Sequence, residues 1–433
     1  MSNKVVIVGG GFAGTSLAKR LERLLPDDAD IELLSQENYV TFNPLLPEVV
    51  GASLLPGHVV APLRQMLKRT SVRMVRVDEI DLEQKRVLYA GEGTGTIDYD
   101  HLVLACGQSA NLAIVKGMAR YALPLKTLGD ALFLRNRIIV RLEQAEQQPN
   151  PEYRRWLTTF VVLGGGFSGV EVAGELVDFI RASRRYYPCL NDDQIRVILV
   201  HSGERLLPEL SASLGEVTYY SMTKNGIDIR LKARAVRVDD RAVYLDSGEI
   251  LSAGTVICTI GTAPNSLIAD LPLPKQRGRI ETAPDMSVPG YPNVWALGDC
   301  AAVVNARDNS ICPPTAQFAD RQGRQLAYNI AQAVAGRPTR AFSYKPAGQL
   351  SAIGHNRAVA EMFGLRISGF IAWLMWRGVY LLKIPTLGRK ARLFLEWNWA
   401  MFFPPDIAHL GFNRTRRVQP ERNASVAQSH RAA

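Results

Sequence analysis

Two stretches of the chain share one arrangement of hydrophobic and polar residues. Lys4–Leu24 reads KVVIVGGGFAGTSLAKRLERL, and Thr159–Ile180 reads TFVVLGGGFSGVEVAGELVDFI. In each, a short apolar run precedes three glycines, and apolar residues at helical spacing follow. The pattern predicts a strand, a tight turn and a helix, which form the opening unit of a Rossmann fold. Because the unit occurs twice, about 155 residues apart, the sequence predicts two such domains.

Short apolar strands, separated by turn residues, are predicted after each unit. The segment Tyr291–Val303, YPNVWALGDCAAV, then resembles a last strand that returns the chain to the first domain. We therefore predict an α/β fold in which the second Rossmann-type domain, residues 116–274, is inserted into the first, residues 1–115 and 275–347. The predicted strands are Val72–Val77, Arg86–Tyr89 and His101–Ala105 after the first unit, and Gln194–Val200, Ala242–Leu245 and Thr255–Ile260 after the second.

The sequence becomes aromatic and basic after Gly348. Phe370–Leu382 is apolar over 13 residues but contains Arg377, and it is too short to span a bilayer. Arg389–Phe403 mixes aromatic residues with Lys and Arg, which is typical of a helix in the headgroup plane of a membrane. We predict a C-terminal amphipathic, membrane-associating helical segment over residues 348–413 and a disordered basic tail over residues 414–433. A dimer interface, or helices packed on the protein's own body, is the compatible alternative.

Positive charge is concentrated at the C-terminal end. The chain of 433 residues has a net charge of +10, and Gly364–Ala433 holds eleven Lys and Arg against three acidic residues. The near-neutral remainder argues against nucleic-acid binding and favours a basic module that faces an anionic lipid surface. Five cysteines form no close pair, which predicts a reduced protein, and six dispersed histidines predict no metal site. The first strand begins near Met1, so we expect no signal peptide.

Each glycine turn has the GxGxxG spacing of a dinucleotide site. In the first turn, Gly9 permits the tight bend, Gly11 lets the backbone approach a pyrophosphate, and Gly14 allows helix and strand to pack closely. The N–H groups that begin the helix then supply hydrogen bonds and partial positive charge. At the late strand end, Asp299 would accept hydrogen bonds from the ribityl hydroxyls of a flavin. The second turn repeats the spacing at Gly164, Gly166 and Gly169.

Up to about His409 the chain resembles the pyridine-nucleotide flavoproteins, and among them the type II, non-proton-pumping NADH:quinone oxidoreductases. The order and spacing of the matching motifs, over roughly 400 residues, make this resemblance specific. The motifs are NYVTFNPLLPEVVGASLLPGHVVAPLRQML (Asn38–Leu67), LKTLGDALFLRNRII (Leu125–Ile139), GGGFSGVEVAGEL (Gly164–Leu176), ALGDCAAV (Ala296–Val303), PPTAQFADRQG (Pro313–Gly323) and EWNWAMFFPPD (Glu396–Asp406).

The resemblance implies FAD in the first domain and NAD(P)H in the second, with hydride transfer to flavin N5 and then reduction of a membrane quinone. It also implies a peripheral protein on the cytoplasmic face of the cell membrane and a homodimer. The implied catalytic residues are Glu171, near the contact of nicotinamide and flavin, and Gln317 and Arg321, on the quinone side. Asn43-Pro44-Leu45 would lie beside the isoalloxazine. The full set of predicted cofactor-binding residues is Gly9, Gly11, Phe12, Ala13, Gly14, Ser35, Asn43, Pro44, Leu45, Ala105, Gly107, Gly298, Asp299, Ala316, Gln317, Gly164, Gly166, Phe167, Ser168, Gly169, His201 and Gly261.

Three positions depart from the family pattern. Arg321 replaces the second glutamine of the quinone-side motif, and arginine cannot accept a hydrogen bond as glutamine does. Ser35 and His201 replace the acids that usually bind each adenosine ribose, although Glu37 is a possible substitute for the first. Because His201 brings no negative charge and Arg205 could attract a 2′-phosphate, we expect weaker discrimination between NADH and NADPH than is typical of the family.

Other functions share parts of this pattern. A sulfide:quinone oxidoreductase needs cysteines that flank the flavin, and nothing in the sequence places a second thiol opposite Cys300 and Cys312. A dithiol reductase needs a redox-active cysteine pair, which the region Asn38–Gly51 lacks. A slow-turnover redox sensor or interaction partner is a third possibility, and it would reduce any quinone very slowly.

Overall fold

The computed structural model describes residues 3–91, 93–191 and 193–411. Its first sheet contains five parallel strands, and the strand before the first glycine turn lies at the centre. Val6 of this strand pairs with Glu32 on one side and with Leu102 on the other. Residues 5–8 of the central strand are apolar and buried, because this part of the strand is covered on both faces, as is usual in parallel sheets. The strand order is Ser71–Met74, Asp30–Ser35, Lys4–Val8, His101–Leu104 and Val294–Ala296.

The second sheet repeats this architecture with five parallel strands. Their order is Ile227–Arg230, Arg196–Val200, Thr159–Leu163, Thr255–Cys258 and Ala122–Pro124. All five lie, in the chain, between the fourth and fifth strands of the first sheet. The chain leaves the first sheet through Gln108–Ala110 and returns to it through Thr262–Pro264, and these two strands pair in antiparallel orientation. The second Rossmann unit is therefore inserted into the first, whereas the boundaries near residues 115 and 275 stay predictions.

Helices flank both sheets, and those that follow the glycine turns are Phe12–Leu24 and Phe167–Ser183. The first of them packs against Ala316–Val334, which we call the Gln317 helix. Gly323 of that helix lies so close to Ala13 that a side chain would not fit between them. Other helices are Leu46–Val50, Leu63–Met66, Met118–Tyr121, Leu128–Gln147, Pro151–Leu157, Ala212–Lys224 and Ser266–Asp270, and 3-10 turns cover Asn43–Leu45, Pro56–His58, Arg184–Tyr186 and Gly298–Cys300.

Smaller sheets cover the edges of the two Rossmann units. Three-stranded antiparallel sheets are formed by Arg76–Asp81, Arg86–Ala90 and Thr94–Asp98; by Ala235–Val238, Ala242–Leu245 and Ile250–Ser252; and by Gly348–Ala352, Ala358–Met362 and Leu365–Gly369. Lys275–Gln276, Arg279–Glu281 and Ala301–Ala302 form a mixed sheet, and Tyr39–Thr41 with Val60–Pro62 and Val304–Asn305 with Ser310–Ile311 form pairs.

The predicted strand Val72–Val77 is wrong as a single element. Ser71–Met74 closes one edge of the first sheet, whereas Arg76–Asp81 belongs to an antiparallel sheet. Val75 lies at the break, where its N–H donates to the carbonyl of Ser35 and turns the chain away. The other predicted strands that differ do so by one or two residues at an end: Arg86–Tyr89 extends to Ala90, His101–Ala105 ends at Leu104, Gln194–Val200 begins at Arg196, and Thr255–Ile260 ends at Cys258.

The predicted segment 348–413 is helical only from Phe370 on, because residues 348–369 form the antiparallel sheet described above; its two helices are Phe370–Lys383 and Leu387–Phe402, which we call the C-terminal helices. The second helix is fastened to the 3-10 turn Pro56–His58, because the Glu396 carboxylate contacts the His58 ring and the Arg389 guanidinium donates to the carbonyl of Gly57. No helix in the described part of the chain is long and apolar enough to cross a bilayer. The predicted disordered tail lies outside the described residues.

The second C-terminal helix has two apolar faces. Leu393 and Trp397, four residues apart, are 0% and 2% exposed and pack on the body of the protein. Leu395, Trp399 and Phe402 follow the same helical spacing on another face, yet they are 67%, 63% and 78% exposed. The segment therefore packs on the protein, as the alternative interpretation expected, and still presents an apolar surface to its surroundings.

Candidate active site

One continuous cavity of about 2530 Å³ runs between the two glycine turns. Ordinary small-molecule sites reach only about 1,000 Å³, so this cavity has room for more than one large ligand. Its walls come from both Rossmann units, from the Gln317 helix and from the first C-terminal helix with the connection that follows it.

The first glycine turn leaves an open cradle in this cavity. Gly9 has a φ of +119°, and a side chain at Gly14 would fall on the carbonyl oxygen of Gly9, so both positions need glycine for the protein's own packing. Gly11 differs, because no atom lies within 4 Å of where its Cβ would be. The helix that starts at Phe12 has no side-chain cap, so its first N–H groups face the cradle. Open space in front of free N–H groups fits a pyrophosphate.

The second glycine turn has the same construction. Gly164 has a φ of +122°, and a side chain at Gly169 would collide with the carbonyl of Gly164. At Gly166 the atom nearest to where a Cβ would lie is the Glu209 Oε1 oxygen, at 3.4 Å, and the helix Phe167–Ser183 again has no side-chain cap. The residues at both turns therefore fit a dinucleotide each, as the FAD and NAD(P)H of the sequence analysis require.

Most of the predicted cofactor-binding residues meet at the cavity, but five do not line it. Leu45 is wrong as an isoalloxazine neighbour, because the 3-10 turn Asn43–Leu45 directs its side chain into the core, where it is fully buried. Gly164, His201 and Gly261 do not line the cavity. Gly14 does not line it either, and it allows the helix to pack closely against the carbonyl of Gly9. The predicted residues that line the cavity are Gly9, Gly11, Phe12, Ala13, Ser35, Asn43, Pro44, Ala105, Gly107, Glu171, Gly166, Phe167, Ser168, Gly169, Gly298, Asp299, Ala316, Gln317 and Arg321.

The turn that carries Asp299 is held by Gln322, which lies within the motif Pro313–Gly323 but is not among the predicted cofactor-binding residues. The N–H of Gly298 donates to the side-chain oxygen of Gln322 at 2.7 Å, and Gln322 is buried in the Gln317 helix. Burial raises the pKa of the Asp299 carboxyl, while the charges of Lys126 and Arg279 oppose that rise. Lys126 also lines the cavity. The Gln317 helix, which begins almost twenty residues later in the chain, thus holds this turn in place.

Gln317 and Arg321 meet at Tyr344, which the sequence analysis missed. The Gln317 Nε2 group donates to the Tyr344 hydroxyl oxygen at 2.7 Å, and the Arg321 guanidinium carbon lies 5.4 Å from the centre of the Tyr344 ring. Thr315 caps the start of this helix, because its hydroxyl accepts from the N–H of Phe318. Tyr344 lies in an irregular segment that belongs to no recognised motif, so only its aromatic character could have drawn notice.

Glu171 is buried at the cavity wall beside Tyr380. Burial raises the pKa of the Glu171 carboxyl to about 8, so this group is largely protonated and uncharged at neutral pH. Burial and the neighbouring Glu171 also raise the pKa of Tyr380. Lys383, one helical turn on, lines the cavity as well, and burial lowers the pKa of its ammonium group. The C-terminal helices therefore contribute polar groups to the site, which their apolar sequence did not indicate.

His201 braces the second glycine turn, and neither His201 nor Arg205 lines the cavity. The His201 Nδ1 atom accepts from the N–H of Gly165 at 3.2 Å, and burial lowers the pKa of the ring, so the imidazole is neutral. The Arg205 guanidinium donates to the carbonyls of Leu210 and Pro208 at 2.8 and 2.9 Å. These bonds hold the Arg205 side chain to its own loop, which weighs against a direct contact with a 2′-phosphate, so the expectation that Arg205 attracts one stays a prediction.

The cysteines nearest the site do not form a reactive pair. Cys106 lines the cavity, and its thiol donates to the carbonyl of Val8 at 3.5 Å. Cys300 is buried, and its thiol donates to the carbonyl of Leu104 at 3.3 Å. Burial raises the pKa of the Cys300 thiol to about 11 and that of Cys106 well above its usual value. A thiol in this state is a poor nucleophile, which weighs against sulfur chemistry here.

Comparison with known proteins agrees with this arrangement. Residues 3–330 match the family model of the pyridine nucleotide-disulphide oxidoreductases, and residues 347–404 match that of the NDH2 C-terminal domain. The chain is 31% identical to the type II NADH:quinone oxidoreductase Ndh of Mycobacterium tuberculosis, over 100% of this chain and 96% of that protein. It is 30% identical to the demethylphylloquinone reductase NdbB of a Synechocystis species, over 91% and 95%. The solved structure of NDH2 from Plasmodium falciparum has the same fold, with a TM-score of 0.86 at 20% identity over 94% of this chain and 100% of that one.

Proposed function

The chain belongs to the type II NADH:quinone oxidoreductase family, and from this premise we propose which parts of its cavity serve each substrate. It is an FAD-dependent enzyme that oxidises NAD(P)H and reduces a quinone. Bound FAD supplies the redox chemistry, since it accepts a hydride and passes the electrons on. Gly11 with the N–H groups of its helix would hold the FAD pyrophosphate, and Gly166 with its helix would hold that of NAD(P)H.

One observation carries the proposal: a single cavity connects both glycine turns with the Gln317 helix and with the connection between the C-terminal helices. That connection, residues 384–387, lines the cavity next to exposed apolar helix faces. A quinone dissolved in lipid could enter there without crossing bulk water. We assign the quinone site to Gln317 and Arg321, and the nicotinamide to the Glu171 side, reached from the second Rossmann unit.

The chain's own residues supply charge and hydrogen bonds at these positions. Arg321 brings a permanent positive charge, and its place above the Tyr344 ring favours negative charge that develops in the cavity during reduction. Gln317 offers both a donor and an acceptor to a quinone or quinol oxygen. Glu171 stays protonated at neutral pH, so it places no negative charge beside the nicotinamide.

We propose that Glu209 contributes most to the choice between NADH and NADPH. Its carboxylate lies at the second glycine turn, closest to Gly166, and it lines the cavity. A carboxylate there can accept hydrogen bonds from ribose hydroxyls and would repel a 2′-phosphate. Because the neutral His201 adds no such repulsion, we propose a moderate preference for NADH over NADPH.

Membrane attachment and assembly belong to the C-terminal helices. Their exposed apolar face, with the basic residues Arg389, Lys390 and Arg392 nearby, has the composition of an interfacial anchor on an anionic membrane. We place the protein at the cytoplasmic face of the cell membrane as a peripheral protein, and we place the contact of a homodimer on the same segment. Both assignments rest on this surface.

The division of the cavity is tested by measuring the two half-reactions separately. Gln317→Ala and Arg321→Ala should slow flavin reoxidation by a soluble quinone, followed by stopped-flow absorbance, and leave flavin reduction by NADH nearly unchanged. Gln332→Ala is the matched control, because Gln332 lies on the same helix outside the cavity. Variants that impair only flavin reduction, or neither step, would show that the quinone site is elsewhere.

A further inference from the structure

Tyr344 joins Gln317 and Arg321 through two different interactions. Its hydroxyl oxygen accepts a hydrogen bond from Gln317, and its ring lies under the Arg321 guanidinium. All three side chains line the cavity. Since a phenol has one hydrogen to donate, and its oxygen is here the acceptor towards Gln317, that hydrogen is left for a further partner. The described residues provide no acceptor for it.

Tyr344 is held through both its backbone and its ring. Asn305 is buried and clamps the Tyr344 backbone, donating to its carbonyl at 2.9 Å and accepting from its N–H at 3.0 Å. The Phe318 ring meets the Tyr344 ring edge-on at 5.3 Å. A side chain held in this way has already lost its rotational freedom, so a ligand that bonds to its hydroxyl bears little further entropic cost.

We propose that Tyr344 is a substrate-binding residue that donates its phenolic hydrogen bond to a carbonyl oxygen of the quinone. The two carbonyl oxygens of a quinone only accept hydrogen bonds, so the protein must supply the donors. Without Tyr344, Arg321 and Gln317 would be the only donors at the proposed site. Tyr344 also contacts both Gln317 and Arg321, the two residues assigned to the quinone site. This inference rests on the proposed quinone site and adds a third residue to it.

Equilibrium binding of menadione to the oxidised holoenzyme, measured by isothermal titration calorimetry, gives a readout independent of turnover. Tyr344→Phe keeps the ring and its contacts with Arg321 and Phe318 but removes the hydroxyl. We expect menadione binding to weaken about three- to tenfold, the range for loss of one neutral hydrogen bond. Tyr153→Phe is the matched control, because Tyr153 is half exposed, stacks on Trp156 at 5.1 Å and lies outside the cavity.

A double-mutant cycle distinguishes direct donation from an effect transmitted through Gln317. If Tyr344 contacts the quinone, Tyr344→Phe should still weaken menadione binding in the Gln317→Ala background. Loss of the effect in that background would overturn direct donation. Reduction of ferricyanide, which has no carbonyl, should be unaltered in Tyr344→Phe, and a parallel loss with ferricyanide would also contradict the proposal.

The outcomes separate this inference from the function on which it rests. If Gln317→Ala and Arg321→Ala weaken menadione binding while Tyr344→Phe does not, the quinone site stands and the role of Tyr344 is refuted. If none of the three variants changes menadione binding, the quinone site itself is wrong. Flavin content and thermal unfolding of each variant verify that the compared proteins are folded.

Discussion

The indole nitrogen of Trp397 donates to both carboxylate oxygens of Glu48, at 3.1 and 2.9 Å, although 349 residues separate the two in the chain. Both side chains are buried, and Arg377 approaches them from the first C-terminal helix, its guanidinium 5.2 Å from the Trp397 ring. Burial raises the pKa of Glu48 to about 7, against the lowering effect of the Arg377 charge and the indole hydrogen bond. A buried polar contact therefore joins the C-terminal helices to the first Rossmann unit.

Trp397→Phe tests the contribution of this contact. Phenylalanine keeps most of the apolar volume but leaves the buried Glu48 oxygens without the indole donor, so the free energy of unfolding should fall by about 1–3 kcal/mol. Urea denaturation followed by circular dichroism measures the change. Trp399→Phe, at an exposed position two residues further on, should cost much less. Equal losses in the two variants would mean that the contact with Glu48 contributes nothing specific.

Gly11→Ala tests whether glycine at this position is required for FAD binding and not for folding. Because a Cβ at Gly11 meets no protein atom, the FAD-free variant should unfold at the same temperature as the FAD-free parent protein, yet the methyl group would occupy the phosphate cradle. We expect FAD affinity to fall at least about tenfold, or about 1.4 kcal/mol, measured by rebinding of FAD to stripped protein. Gly57→Ala, which also adds a methyl group in open space but outside the cavity, should bind FAD normally. Normal FAD binding by Gly11→Ala would refute the assignment of this cradle.

The preference for NADH over NADPH should be moderate. We expect the ratio of kcat/KM for the two coenzymes to stay below about a hundredfold, equivalent to roughly 2.7 kcal/mol. Glu209→Gln should lower that ratio about fivefold, since a unit charge about 4 Å from a phosphate is worth about 1 kcal/mol in water. Glu204→Gln, in the same loop but outside the cavity and paired with Lys232, should leave the ratio unchanged. A ratio that Glu209→Gln does not alter would remove Glu209 from coenzyme selection.

The exposed face of the second C-terminal helix should determine membrane binding. Replacing Leu395 and Phe402 together by Asn removes two apolar side chains without touching the buried Trp397 face. Full burial of each is worth about 1.5–3 kcal/mol, so co-sedimentation with phosphatidylglycerol vesicles should weaken by well over tenfold. Ile250→Asn, an exposed apolar residue in the second Rossmann unit, serves as the control. If the double variant sediments with vesicles as the parent protein does, this face is not the anchor.

The features that could be predicted from the sequence are local ones. A glycine turn is completed within about six residues, because the bend, the phosphate approach and the helix start are all properties of neighbouring backbone. Two such turns, with a late strand at Val294–Ala296, also predicted the inserted topology, since parallel strands must be joined by crossover connections. The aromatic and basic composition of Arg389–Phe403 likewise indicated an interfacial helix.

Only the tertiary structure decided which side chains meet, because packing brings together residues whose separation leaves no pattern in the chain. Gln317 contacts Tyr344, which lies 27 residues away in the chain, and Trp397 contacts Glu48, which lies 349 residues away. Burial has the same origin: it raises the pKa of Glu171, and the residues beside Glu171 include Tyr380, on a helix about two hundred residues later. Leu45 was misplaced for this reason, since the motif gave its position in the chain and the 3-10 turn decided which way its side chain pointed.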